Sequence, residues 1–71
     1  MKATIDFEQK TYQVTTVTDK KATSNYDTNL TVSFENKAIA GCIVKKTDSK
    51  DTVMSAAKKC IKMYLTTNYF N

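Results

Sequence analysis

A chain of 71 residues with eleven lysines, seven acids and a net charge of +4 has room for one domain and one core. At this length folding buries only about 60% of the surface that the unfolded chain exposes, and a single core rarely supplies more than about 3–5 kcal/mol. The sequence contains no histidine, arginine, tryptophan or proline and one glycine. That excludes histidine-based catalysis, a glycine-rich phosphate loop and arginine's bidentate reading of phosphate or guanine.

Taken in order, Ala3, Ile5 and Phe7 alternate with Thr4 and Asp6, and Tyr12 and Val14 resume the alternation. A two-residue turn at Gln9-Lys10 would pair Phe7 with Tyr12 and Ile5 with Val14, placing four large side chains on one face. Val17 falls out of that phase, so a bulge or strand end is predicted near Thr15-Thr16. Asp19 to Asn29 is polar apart from Tyr26 and reads as a surface loop of the kind that often carries function. Leu30, Val32 and Phe34 alternate again, and Asn36-Lys37 is the expected turn because asparagine tolerates positive φ. The implied pairs are Phe34 with Ile39, Val32 with Gly41 and Leu30 with Ile43. Gly41 is then expected on the core face, letting a helix approach closely, with Cys42 on the opposite face.

The segment Asp48 to Leu65 is the one helix the pattern defines. Val53, Ala56, Ala57, Cys60, Ile61, Tyr64 and Leu65 repeat at the spacing of a single apolar face. Asp48 or Ser49 suits the N-cap, and Asp51 suits the positive end of the helix dipole. The predicted fold class is α+β, a single domain over residues 1–71. It is a four-stranded antiparallel sheet of two β-hairpins with one C-terminal α-helix packed on one face (β-β-β-β-α). The expected core is Ile5, Phe7, Tyr12, Val14, Leu30, Val32, Phe34, Ile39, Ile43, Val53, Ala57, Cys60, Ile61 and Tyr64. The other sheet face would carry Thr4, Asp6, Thr15, Thr31, Ser33, Glu35, Ala38, Ala40 and Cys42. Tyr69 and Phe70 in the tail would either latch onto the sheet or stand out as aromatic anchors.

Catalysis is not expected, and no catalytic, cofactor-binding or metal-ligating residue is assigned. The two cysteines match no zinc spacing, and on the predicted faces Cys42 and Cys60 point apart, which disfavours a disulfide. Met1-Lys2 runs into a strand pattern without an apolar h-region, and no stretch reaches about 18 apolar residues, so neither a signal peptide nor a membrane span is expected. The expected compartment is the cytoplasm.

Three resemblances bear on function. Leu30 to Leu65, with Lys50 at the helix start, resembles the closing strand–strand–helix of double-stranded RNA-binding domains. Asp51 follows Lys50, and Met54 stands where that family carries another lysine. The run MKATIDFEQKTYQV, with Gly41-Cys42, Asp48-Ser49, Val53, Ala57, Ile61 and Tyr64-Leu65, resembles the opening hairpin and strand-to-helix passage of HicB-type antitoxins, a likeness that implies occupation of a toxin's active surface. A compact, arginine-free, lysine-rich chain also resembles, in composition alone, anti-CRISPR and other anti-defence proteins of phages.

The expected function is stoichiometric binding to a protein or ribonucleoprotein partner, as an inhibitor or antitoxin would bind. Lys20, Lys21, Tyr26, Tyr69 and Phe70 are the candidate contacts. The alternative is a nucleic-acid-binding module using Lys45, Lys46, Lys50, Lys58, Lys59 and Lys62. A homodimer is a further expectation consistent with the small core, and no membrane partner is expected.

Overall fold

The structure, a computed structural model, describes residues 1–70, and the side chains of residues 1–67. Four strands, β1 (Lys2–Phe7), β2 (Lys10–Thr18), β3 (Thr28–Phe34) and β4 (Lys37–Val44), precede one helix, α1 (Lys50–Phe70). The strands form an antiparallel sheet in the order β1-β2-β3-β4, with α1 packed mainly over β4 and β3. This is the α+β architecture that the hydrophobic patterning predicts.

Both hairpin turns sit one residue earlier than expected. The chain reverses at Glu8-Gln9 and at Glu35-Asn36, and all four residues have positive φ, between 52° and 67°. Two left-handed residues in succession suit a two-residue turn whose twist matches that of the strands. In the first hairpin the pairs are Phe7 with Lys10, Ile5 with Tyr12 and Ala3 with Val14. Moving a turn by one residue slides the partner strand by two, so every side chain keeps its predicted face. Val17 needs no bulge, because β2 continues in register with β3 through Thr18. Val17 points to the solvent side with Gln13 and Thr15, as an apolar residue on the outer face.

The second hairpin departs further. Its turn pairs Phe34 with Lys37 and Ser33 with Ala38, but Val32 then pairs with Ala40, leaving Ile39 as an extra residue. One extra residue reverses the phase of the strand beyond it. Ala40, Cys42 and Val44 therefore face the helix, and Gly41 and Ile43 face solvent, the opposite of the expected assignment. Ile43 leaves the predicted core and the buried Val44 replaces it. Gly41 does not serve helix approach: a Cβ there would lie 3.1 Å from the Leu30 carbonyl oxygen, so the close contact is within the sheet.

The core forms where the sheet's inner face meets α1. Val14, Leu30, Val32 and Ile61 are fully buried, with Tyr12, Val44, Val53 and Ala57 around them. Each such large aliphatic side chain contributes about 1.5–3 kcal/mol on leaving water. Tyr12 and Phe34 pack at 5.2 Å between ring centroids. Ser49 is the N-cap: its Oγ accepts from the Thr52 amide at 3.2 Å, and its carbonyl accepts the first helical bond, from the Val53 amide, at 3.0 Å. Asp48 closes the preceding turn instead, accepting from the Lys45 amide at 3.0 Å. The helix extends beyond the predicted end at Leu65, so Tyr69 and Phe70 belong to it and not to a separate tail. Their side chains lie outside the described residues.

Candidate functional site

Among the described residues no helix lies against the outer face of the sheet. Strand alternation and register arrange it in cross-strand rows: Thr4, Gln13, Ser33 and Ala38; Lys2, Thr15, Thr31 and Gly41; then Val17, Asn29 and Ile43. The residues of the first two rows are small or polar, with no large apolar side chain among them. The third, nearest the loop between β2 and β3, carries Val17 at 63% and Ile43 at 56% exposure. Tyr26, 58% exposed, belongs to the adjoining loop. Isolated surface hydrophobics need no explanation, but Val17 and Ile43 share one row across Asn29, and the loop that carries Tyr26 leaves the sheet at the same end.

That end is held by hydrogen bonds. In the 19–27 connection the Asp19 side chain accepts from the Lys21 amide at 2.9 Å, and the Ser24 hydroxyl accepts from the Tyr26 amide at 3.1 Å. The Asp19 amide donates to the Asp27 carbonyl at 2.7 Å, closing the base of the loop. Asp27 Oδ1 then accepts from the Lys46 amide at 3.0 Å and from the Thr28 hydroxyl at 3.1 Å. The loop is thus clasped to the turn that leads into α1, and the Lys45 ammonium lies 5.0 Å from the centre of the Tyr26 ring. A cation over an exposed aromatic face contributes about 0.5–1 kcal/mol, enough to favour one orientation of Tyr26.

The Lys46 amide, more than any other neighbour, holds the Asp27 carboxyl below its ordinary value of 3.8. Because the folded value is the lower one, the clasp's contribution is fully present above the unfolded value and is lost as pH falls through the folded one. Asp27→Ala is expected to speed hydrogen exchange at the Lys46 amide while leaving core amides such as that of Val32 protected. Unchanged exchange at Lys46 would show that the clasp does not hold the loop.

Of the lysines singled out from the sequence, the structure brings Lys20, Lys21, Lys45, Lys46 and Lys50 to this end, on the loop, the turn and the helix start. Lys45, Lys46 and Lys50 join Thr16, Thr28 and Asp48 in lining a cavity of about 170 Å³ there. Lys58, Lys59 and Lys62 lie apart from them on the exposed side of α1. Lys62 leans over the Phe7 ring at 6.0 Å, while Lys58 borders a groove with Asp6 and Asp51. The sequence expectation missed Val17 and Ile43. Val17 was readable as the one apolar residue out of phase, whereas Ile43 depends on the bulge at Ile39.

The cysteines correct a second expectation. With the phase of β4 reversed, Cys42 and Cys60 both face the sheet–helix interface, both half-buried and both free thiols. Burial, and then the neighbouring Cys60 thiol, push the Cys42 thiol up to about 11 from 9.0. The neutral thiol's contribution to stability is full below 9.0 and is lost as pH rises toward about 11. Since the thiolate is the nucleophile, alkylation at Cys42 near pH 8 is expected to be roughly 100-fold slower than for an unperturbed cysteine. Peptide mapping after timed labelling would read this, and labelling at the rate of a model thiol would contradict it.

Among the described residues, no group of three or more His, Cys, Asp or Glu side chains is arranged to hold a metal ion, and no helix is long and apolar enough to cross a membrane. The fold and this surface define a small α+β domain with one open sheet face. No protein family, curated protein or solved structure matches the chain.

Proposed function

We propose that this chain is a non-catalytic module that binds a protein or ribonucleoprotein partner stoichiometrically and acts by occluding it, in the manner of an inhibitor, anti-defence protein or antitoxin. The observation that carries this reading is that Val17 and Ile43 stand exposed in one row of an otherwise largely polar, uncovered sheet face, at the end where the clasped loop exposes Tyr26. An exposed apolar cluster rimmed by polar and charged groups is the usual anatomy of a protein-binding patch. Tyrosine is among the residues that most often dominate binding energy there. The clasp through Asp27 presets the patch, which reduces the ordering cost of association. Lys20 and Lys21, exposed on the same loop as Tyr26, are the charges assigned to its rim. Solvated positive charge at a rim chiefly speeds encounter with an acidic surface.

Nucleic-acid binding is the second reading, favoured by the gathering of Lys45, Lys46 and Lys50 beside the start of α1. Salt separates the two readings. Attraction to a polyanion through several lysines weakens steeply between low and moderate salt because counterions are released, whereas a patch built on Val17, Ile43 and Tyr26 persists. Capture of a partner by the tagged chain in roughly 0.3 M salt, with no affinity for DNA or RNA even at low salt, supports the first reading. Steeply salt-dependent nucleic-acid binding with no protein captured overturns it.

A further inference from the structure

The sheet has two edges, and they differ. On β4 the extra residue Ile39 interrupts the ladder, one of the devices by which proteins protect an edge from pairing. On β1 there is no bulge and no proline, and the strand runs in unbroken register from Lys2 to Phe7. Met1 and Thr16 exchange both backbone hydrogen bonds, at 2.9 and 3.3 Å. In an antiparallel pair such doubly bonded positions alternate with unbonded ones. Ala3, Ile5 and Phe7 therefore spend their backbone groups on β2, and the N–H and C=O groups of Lys2, Thr4 and Asp6 point out of the open edge.

The same three residues form a charge pattern that is its own complement. Antiparallel pairing of β1 with β1 of a second copy, centred on Thr4, sets Thr4 against Thr4 of that copy. It also sets Lys2 against Asp6 and Asp6 against Lys2. All of these positions have outward backbone groups, so each forms a mutual hydrogen-bonded pair, and each charge meets its opposite. Centring the seam on Lys2 or on Asp6 instead would set like charges against each other. On the helix side, Ala3 would lie against Ile5 of the second copy. Ala3, Ile5 and Phe7 are only half-buried, unlike Tyr12 and Val14 one strand inward. Beside them a groove of about 350 Å³, lined by Ile5, Asp6, Asp51, Met54, Ser55 and Lys58, runs between β1 and α1.

We infer that β1 is a homodimer edge, joining two copies about a two-fold axis at Thr4 into one continuous eight-stranded sheet with both helices on the same side. The partner patch on β2, β4 and the 19–27 loop stays open in this assembly and is present twice. The inference is independent of the identity of that partner.

Sedimentation of the full chain over a range of micromolar concentrations tests it. A reversible dimer of twice 8.0 kDa is expected. Thr4→Pro removes an outward N–H that β2 does not use, as an edge strand tolerates, and is expected to weaken dimerisation about 100-fold or more. Lys2→Asp alone and Asp6→Lys alone, each leaving like charges across the seam, are expected to be monomeric. Mixing those two single variants restores a dimer, as does combining both substitutions in one chain. Circular dichroism confirms that each variant is folded, and the charge variants stand as the test if Thr4→Pro is not. A monomer at every concentration overturns the proposal. So does a dimer indifferent to Thr4→Pro and to the charge reversals, which would place the contact elsewhere.

Discussion

Replacing Leu30 by alanine is expected to lower the melting temperature by at least about 10 °C and to leave a substantial unfolded fraction at 25 °C. Leu30 is 1% exposed on an interior strand, between Thr16 of β2 and Cys42 of β4. Its truncation removes apolar contact and leaves a cavity that the surrounding sheet can only partly close. Such changes cost about 2–5 kcal/mol, and a core of this size provides about 3–5 kcal/mol in total. Ile61→Ala, on the facing helix turn and fully buried, is expected to behave alike. Thermal and urea unfolding followed by circular dichroism give the answer. A variant melting within a few degrees of the parent would mean that the core is not centred where β3 meets α1.

The second large effect is on binding. Tyr26→Ala is expected to weaken partner association about 30-fold or more, the loss typical of a central aromatic contact. Val17→Thr combined with Ile43→Thr should produce a loss of similar size with little change in stability. Threonine keeps the β-branched shape that a strand favours, and both positions face solvent. Titration calorimetry with the captured partner measures the change. Equal affinities for parent and variants would move the interface off this end of the sheet. The clasp makes a subsidiary point: loss of the Asp27 carboxylate frees the loop without deleting any contact residue, so Asp27→Ala should weaken binding less than Tyr26→Ala.

The architecture was legible because it rests on patterns that tolerate small errors. The apolar repeat from Val53 to Leu65 defines the helix whatever its cap, and both Ser49 and Asp48 were candidates until their hydrogen bonds distinguished them. In the first hairpin a turn misplaced by one residue left every face correct, since the partner strand slides by two. The second hairpin was less forgiving. Ile39 is one residue among seven in an apolar run from Ala38 to Val44, and nothing local marks it as the residue outside the ladder. From that position onward the faces invert, moving Ile43 into solvent and Cys42 against Cys60. The binding surface was therefore only half legible. Tyr26 and the loop lysines could be named because a long polar loop exposes them, but the apolar pair completing the patch depends on a bulge and on Val17 pointing outward. The edge chemistry of β1 lay in plain view as Lys2, Thr4 and Asp6. It acquired meaning only once the hydrogen-bond phase was fixed by Met1 and Thr16.

The most direct test of the binding role compares three tagged forms in parallel capture from cells of the source organism at moderate salt: the parent, the Val17→Thr/Ile43→Thr variant and a Lys58→Gln/Lys59→Gln variant on the exposed side of the helix. A partner recovered in fixed stoichiometric ratio with the parent and the helix variant, and lost with the sheet variant, is the expected result. No stoichiometric partner with the parent, or a partner retained by the sheet variant and lost with the helix variant, would contradict a binding module that works through the open face of its sheet.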